Sequence, residues 1–153
     1  MVKLRRRLQS LLRPRSARRD GGDQLGYAPR ADGQADPGEV VWAWVPFEEN
    51  DGRGKDRPVL LVGRRGSGSG FSWLGLMLTS KDHDRDAADE ARWGRQWMDV
   101  GTGAWDRERR PSEVRLDRLI VLEPDAVRRE GAALDRATFD RVVRAASALH
   151  ALE

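Results

Sequence analysis

The sequence contains no cysteine, which excludes disulfide bonds, catalysis by a thiolate and cysteine-ligated zinc sites. No run of apolar residues approaches the ~20 that a membrane-spanning helix needs. The first residues also lack the apolar segment of a secretory signal peptide. We therefore expect a cytoplasmic protein. The 153 residues, 35% of them charged, leave room for one domain and a tail.

The net charge of +3 is distributed unevenly along the chain. Residues 1–36 carry nine Lys/Arg and four Asp, whereas the remaining residues carry 19 basic and 21 acidic side chains. Residues 21–37 are rich in Gly, Asp, Ala and Pro. We therefore predict a basic, mostly disordered arm and linker over residues 1–36 and a folded domain over residues 37–153.

Other interpretations of the arm remain open. Leucines at helical spacing among arginines are also typical of a short amphipathic helix that touches a membrane or RNA. Met1 could alternatively be a start codon placed upstream of the true one.

Short apolar segments, separated by turn residues about every ten positions, predict a β-rich domain. The expected strands cover residues 40–47, 59–62, 71–78, 96–100 and 114–122. A short helix or turn is expected near residues 125–130. An apolar stripe at spacings of three and four predicts a C-terminal helix over residues 135–151, with Asp135 as its N-cap. This α+β pattern favours a small, strongly bent antiparallel β-barrel with the helix packed against it.

Three segments join an apolar strand to polar side chains at its end. They are residues 55–62 (KDRPVLLV), 76–80 (LMLTS) and 112–117 (SEVRLD). Arg57 lies at the mouth of a buried strand, where its guanidinium suits a phosphate clamp because it matches two oxygens at once. The alternative is an ordinary loop arginine paired with Glu48, Glu49 or Asp56.

The other two segments offer hydroxyl groups and a charge pair. Thr79 and Ser80 can hold a phosphate or a ribose 2′-oxygen, although a turn capped by its own side chains is the alternative. Arg115 and Asp117 are two residues apart, so a strand would place them side by side on one face. The alternative for this pair is a surface ion pair worth about 0–1 kcal/mol.

In this order and spacing, the segments resemble the PemK/MazF family of bacterial toxin ribonucleases. Residues 38–42 (GEVVW) and 57–62 (RPVLLV) match the first two strands of that family, and residues 79–80 and 114–117 (VRLD) match its later motifs. The resemblance covers roughly residues 37–122, with a compatible helix afterwards. It implies an SH3-like barrel, a homodimer, cleavage of single-stranded RNA without metal or cofactor, and neutralisation by a cognate antitoxin. DNA would be contacted only indirectly, through an antitoxin complex.

The resemblance also implies a set of site residues. The catalytic set is Arg57, Thr79, Arg115 and Asp117, and the substrate-binding set is Ser80, Lys55 and Arg118. The family assigns the base to the aspartate and the acid to the arginine of its Val-Arg-x-Asp motif. Because arginine is a poor proton donor, we expect Arg115 to act chiefly through its charge. Asp117 is then the base or the group that orients the 2′-hydroxyl.

Two other functions remain possible on the sequence alone. One is a catalytically inactive barrel that binds RNA or a protein partner. The other is a membrane- or nucleoid-associated module whose activity lies in the basic arm. The two histidines add no metal site: His83 lies in a charged loop without a second ligand nearby, and His150 is expected on the surface of the helix.

Overall fold

The computed structural model describes residues 23–26, 35–48, 51–66, 70–80 and 94–150. Most of the predicted arm and His83 lie outside these described residues. Within them, the chain forms the strands β1 (Asp23–Leu25), β2 (Glu39–Pro46), β3 (Gly54–Arg65), β4 (Ser72–Thr79), β5 (Trp97–Gly101), β6 (Ser112–Arg115), β7 (Ile120–Leu122) and β8 (Arg128–Ala133). A 3₁₀ turn covers Pro124–Ala126, and the helix α1 covers Arg136–His150.

The strands build one curled antiparallel sheet in the order β5-β6-β4-β3-β2-β8. β7 pairs with the first half of β4, while β6 pairs with its last two residues. β1 pairs with the end of β3. The curled sheet and the C-terminal helix confirm the predicted α+β class.

The core lies on both faces of this sheet. Leu60 and Val62 of β3 point towards α1 and pack in one apolar cluster with Phe139 and Val142. Their neighbours in the same strand, such as Leu61, point to the opposite face and pack in a second cluster. The run of apolar residues in β3 is therefore a strand buried on both faces, as its lack of alternation predicts.

The helix starts where its sequence predicts. Asp135 Oδ2 accepts a hydrogen bond from the backbone N–H of Thr138 at 3.1 Å, and Oδ1 accepts one from its hydroxyl at 2.7 Å. This contact confirms Asp135 as the N-cap. In the described part of the chain, no helix is both long and apolar enough to cross a membrane.

Four details differ from the expected elements. β3 covers Gly54–Arg65, whereas a strand was expected only over residues 59–62. β1 lies within the segment predicted to be a linker, and β8 follows the 3₁₀ turn where only a short helix or turn was expected. The strand expected over residues 114–122 is divided into β6 and β7. β8 was missed because its sequence, RREGAA, lacks apolar alternation; pairing with β2 holds it in the sheet.

Gly75 is required by the close packing of β3 against β4. A Cβ at this position would lie 2.4 Å from Val59 Cγ1, a fully buried side chain. We expect Gly75→Ala to lower the free energy of unfolding by about 1–3 kcal/mol, measured by urea denaturation. Gly70→Ala is the matched control, since its Cβ would meet nothing within 4 Å. Equal stability of the two variants would contradict this account.

Candidate functional site

A cavity of about 350 Å³ opens beside the β2–β3 hairpin. It is lined by Pro46, Phe47, Glu48, Arg53, Arg57, Met77, Arg115 and Arg118. Four of these eight residues are arginines, so the cavity has a strongly cationic lining. Anionic groups are the ligands that such a lining favours.

The sheet order explains why distant sequence segments meet at this cavity. β4 lies between β3 and β6. On one side, Met77 of β4 pairs with Val59, which follows Arg57 by two residues in β3. The next residues of β4 pair with β6, which ends at Arg115. Arg57 and Arg115 therefore lie on opposite sides of the central strand β4, and both line the same cavity.

Arg115 is held on two sides by carboxylates. Its Nε lies 3.1 Å from both oxygens of Asp117, and its Nη2 lies 2.8 Å from Asp117 Oδ2. On the other side, Nη1 donates to Glu48 Oε1 at 2.6 Å. The Arg115 side chain is only 6% exposed, so the alternative of an ordinary surface ion pair is wrong.

The charges of this cluster stabilise one another. Burial disfavours the charge of Arg115, but the hydrogen bonds that it donates to Glu48 and Asp117 outweigh this effect and raise the pKa of Arg115. The hydrogen bond from Arg115 is also the main reason that the pKa of Glu48 falls to about 2. Glu48 therefore carries a full negative charge at neutral pH.

Asp117 lies in the turn that follows β6, and not in the strand as predicted. The backbone N–H of Gln96 donates to Asp117 Oδ1 at 2.7 Å, and the Gln96 carbonyl accepts from Leu116 N at 2.7 Å. His150 Nε2, at the end of α1, donates to the Leu116 carbonyl at 2.7 Å. His150 is thus half-buried and holds the turn, which corrects the expectation of a surface histidine.

Arg57 has a different environment from Arg115. Burial lowers its pKa, and the positive charges of Arg118 and Arg115 lower it further. Among the residues that the structure describes, no carboxylate forms an ion pair with Arg57: Asp56 pairs with Arg128 at 2.9 Å, and Glu48 pairs with Arg115. The alternative of a loop arginine paired with either of these two carboxylates is therefore wrong, and Glu49 lies outside the described residues.

Arg118 completes the cationic lining. Its Nη2 donates to the Pro46 carbonyl at 2.6 Å, which ties the turn after β6 to the end of β2. The structure therefore brings three of the seven predicted site residues, Arg57, Arg115 and Arg118, to one cavity, with Asp117 directly behind Arg115.

The other predicted residues lie near the cavity but do not line it. Lys55 is exposed and lies two positions before Arg57 on the same face of β3. Thr79 ends β4, two positions after Met77, and pairs with Glu113. Ser80 follows it and is exposed.

Sequence reasoning did not identify Arg53, which lines the cavity and pairs with Asp51 at 2.7 Å, and it missed three further contributors around Arg115. Glu48 was considered only as a partner of Arg57, and Arg95, which contacts Glu48 through Nε at 3.2 Å, was not considered. Gln96 contributes backbone groups, which any residue type could supply. The only sequence signal for Glu48 was its acidic side chain and its position shortly before β3, the strand that contains Arg57.

Comparison with known proteins agrees with this geometry. Residues 36–150 match the family model described as PemK-like, MazF-like toxin of type II toxin–antitoxin system. No match was found among curated protein sequences. The matched residues include the sheet from β2 to β8 and the helix α1. Since the match covers most of the chain, the protein belongs to the PemK/MazF-like toxin family.

Proposed function

We propose that this protein is a toxin endoribonuclease that cleaves single-stranded RNA without a metal ion. The observation that carries the proposal is the convergence of Arg57, Arg115 and Arg118 on one cavity. A backbone phosphate carries one negative charge, and its charge grows on the non-bridging oxygens as the phosphorus is attacked. Guanidinium groups fixed around such a position stabilise the transition state.

The proposed reaction uses the ribose 2′-hydroxyl as an internal nucleophile. The 2′-oxygen bonds to phosphorus while the bond from phosphorus to the 5′-oxygen breaks. The products are a 2′,3′-cyclic phosphate and a free 5′-hydroxyl. The 2′-proton must leave and the 5′-oxygen must gain a proton, so no oxidant or reductant is needed.

The site residues can be assigned to these steps. Arg57, which no described carboxylate neutralises, clamps the phosphate with Arg118. Arg115 stabilises the developing charge; its raised pKa makes it a poor proton donor, so the leaving 5′-oxygen takes its proton from water. Asp117 holds Arg115 and accepts or orients the proton of the 2′-hydroxyl.

The remaining predicted residues are proposed to contact flanking nucleotides. Lys55 extends the face of β3 that carries Arg57, Thr79 extends the face of β4 that carries Met77, and Ser80 follows directly after that strand. Membership of a toxin family also implies an antitoxin partner, which we propose masks the cavity. The proposed toxin is a homodimer, and it contacts DNA only indirectly, through its complex with the antitoxin.

The proposal is tested by incubating the protein with a ladder of single-stranded RNA in EDTA. We expect discrete fragments whose ends are 2′,3′-cyclic phosphate and 5′-hydroxyl. Arg115→Met, purified in the same way, controls for contaminating nucleases. An intact ladder, or fragments with 5′-phosphate ends, would show that the proposed reaction is wrong.

A further inference from the structure

We propose that Glu48 is an internal substitute for the substrate phosphate, held on Arg115 until an RNA phosphate displaces it. This inference rests on the proposed function, since it names how the same cavity receives its substrate. It also assigns a role to a residue that no motif identified.

The hydrogen-bonding geometry of Arg115 leaves little room for an additional anion. Its Nε and Nη2 face Asp117, and its Nη1 faces Glu48 at 2.6 Å. A planar guanidinium has five N–H donors in a fixed fork, and these contacts occupy three of them. Glu48 lines the cavity whereas Asp117 does not, so a phosphate in the cavity meets Arg115 on the side that Glu48 now occupies. To bind Nη1, the phosphate must displace a carboxylate.

Exposure and anchoring identify Glu48 as the one that leaves. The Asp117 side chain is 14% exposed, and the Gln96 N–H anchors it in addition to Arg115. The Glu48 side chain is 41% exposed, and its second contact is Arg95 Nε at 3.2 Å. Replacing Glu48 by a phosphate keeps a charge-assisted hydrogen bond on Nη1 and leaves the Asp117 contacts unchanged.

The charge of the lining supports the same conclusion. Glu48 is the one carboxylate among the residues that line the described cavity, which also has four arginines. Glu48 is ionised at neutral pH already at the usual pKa of a glutamate, and the hydrogen bond from Arg115 lowers that pKa further, to about 2. Substrate therefore competes with a permanent anion in an otherwise cationic site, and removing that anion should tighten binding.

The test compares wild type with Glu48→Gln, whose amide oxygen can still accept from Arg115 but carries no charge. The probe is a fluorescent single-stranded oligonucleotide with 2′-O-methyl riboses, which lacks the nucleophile and cannot be cleaved. We expect Glu48→Gln to lower the Kd measured by fluorescence anisotropy about 3- to 10-fold. We also expect the plot of the logarithm of the association constant against the logarithm of the salt concentration to steepen by up to about 0.7 in slope. Without the charge of Glu48, Arg115 takes a counterion from solution, and the RNA phosphate releases that counterion on binding.

Glu123→Gln is the matched control for net charge. Glu123 accepts a hydrogen bond from Ser72 at 3.2 Å and does not line the cavity. Its substitution changes the charge of the protein by the same amount, so a general electrostatic effect would appear equally in both variants. We expect the Kd of Glu123→Gln to stay within about 2-fold of wild type.

The possible outcomes separate this inference from the proposed function. If wild type cleaves RNA but Glu48→Gln binds no tighter than wild type, the displacement model is wrong while the enzyme assignment stands. A fall of about 10²-fold in kcat/KM of Glu48→Gln would also overturn it, because such a loss indicates a catalytic base. If wild type does not cleave RNA, the proposed function fails, yet tighter binding by Glu48→Gln still supports displacement of Glu48 by a phosphate.

Discussion

Replacing Arg57 by alanine is expected to lower RNA cleavage by about 10²–10³-fold while leaving the free energy of unfolding unchanged or slightly increased. The activity falls because the phosphate loses a guanidinium held at the cavity. Stability does not fall with it, because Arg57 is partly buried and repelled by Arg118 and Arg115, both of which lower its pKa. Removing its charge therefore relieves an unfavourable interaction.

The measurements are the rate of cleavage of a defined RNA and urea unfolding of the same preparations. Arg128→Ala is the matched control, because Arg128 is an exposed arginine of β8 paired with Asp56 at 2.9 Å. We expect this control to retain activity and to change stability by less than about 0.5 kcal/mol. If Arg57→Ala were clearly less stable than Arg128→Ala, or equally active, Arg57 would be a structural residue and not a phosphate clamp.

This combination of lost activity and retained stability could be anticipated only in part from the sequence. The position of Arg57 next to an apolar run predicts its place at the mouth of a buried strand; in the structure Arg57 lies within β3, which starts at Gly54, just before the buried part of that strand. Its repulsion by Arg118 and Arg115 depends on β4 lying between β3 and β6. The strand order, unlike the strands themselves, has no local signal in the sequence.

The same reasoning explains which parts of the fold were missed. Periodic apolar positions predict α1 and the central strands because burial itself selects those residues. The sequence of β8 has no apolar alternation, and β1 has only three residues, so neither segment gives a recognisable strand pattern. The hydrogen bond that anchors Asp117 comes from the backbone N–H of Gln96. The residue type at position 96 gives no sign of this contact, because the donor is a backbone group.

Asp117→Asn is expected to lower both activity and stability, in contrast to Arg57→Ala. Cleavage should fall by about 10²–10⁴-fold, since the carboxylate that accepts or orients the 2′-proton is lost. The free energy of unfolding should fall by about 1–3 kcal/mol, because an amide cannot satisfy the buried Arg115 on two oxygens. Glu48 would then be the one described carboxylate that remains on that guanidinium.

Asp99→Asn, at an exposed position of β5, is the control for the loss of one carboxylate and should leave rate and stability unchanged. Full activity in Asp117→Asn would remove the pair of Arg115 and Asp117 from the mechanism, and with it the assignment of this cavity as the catalytic site.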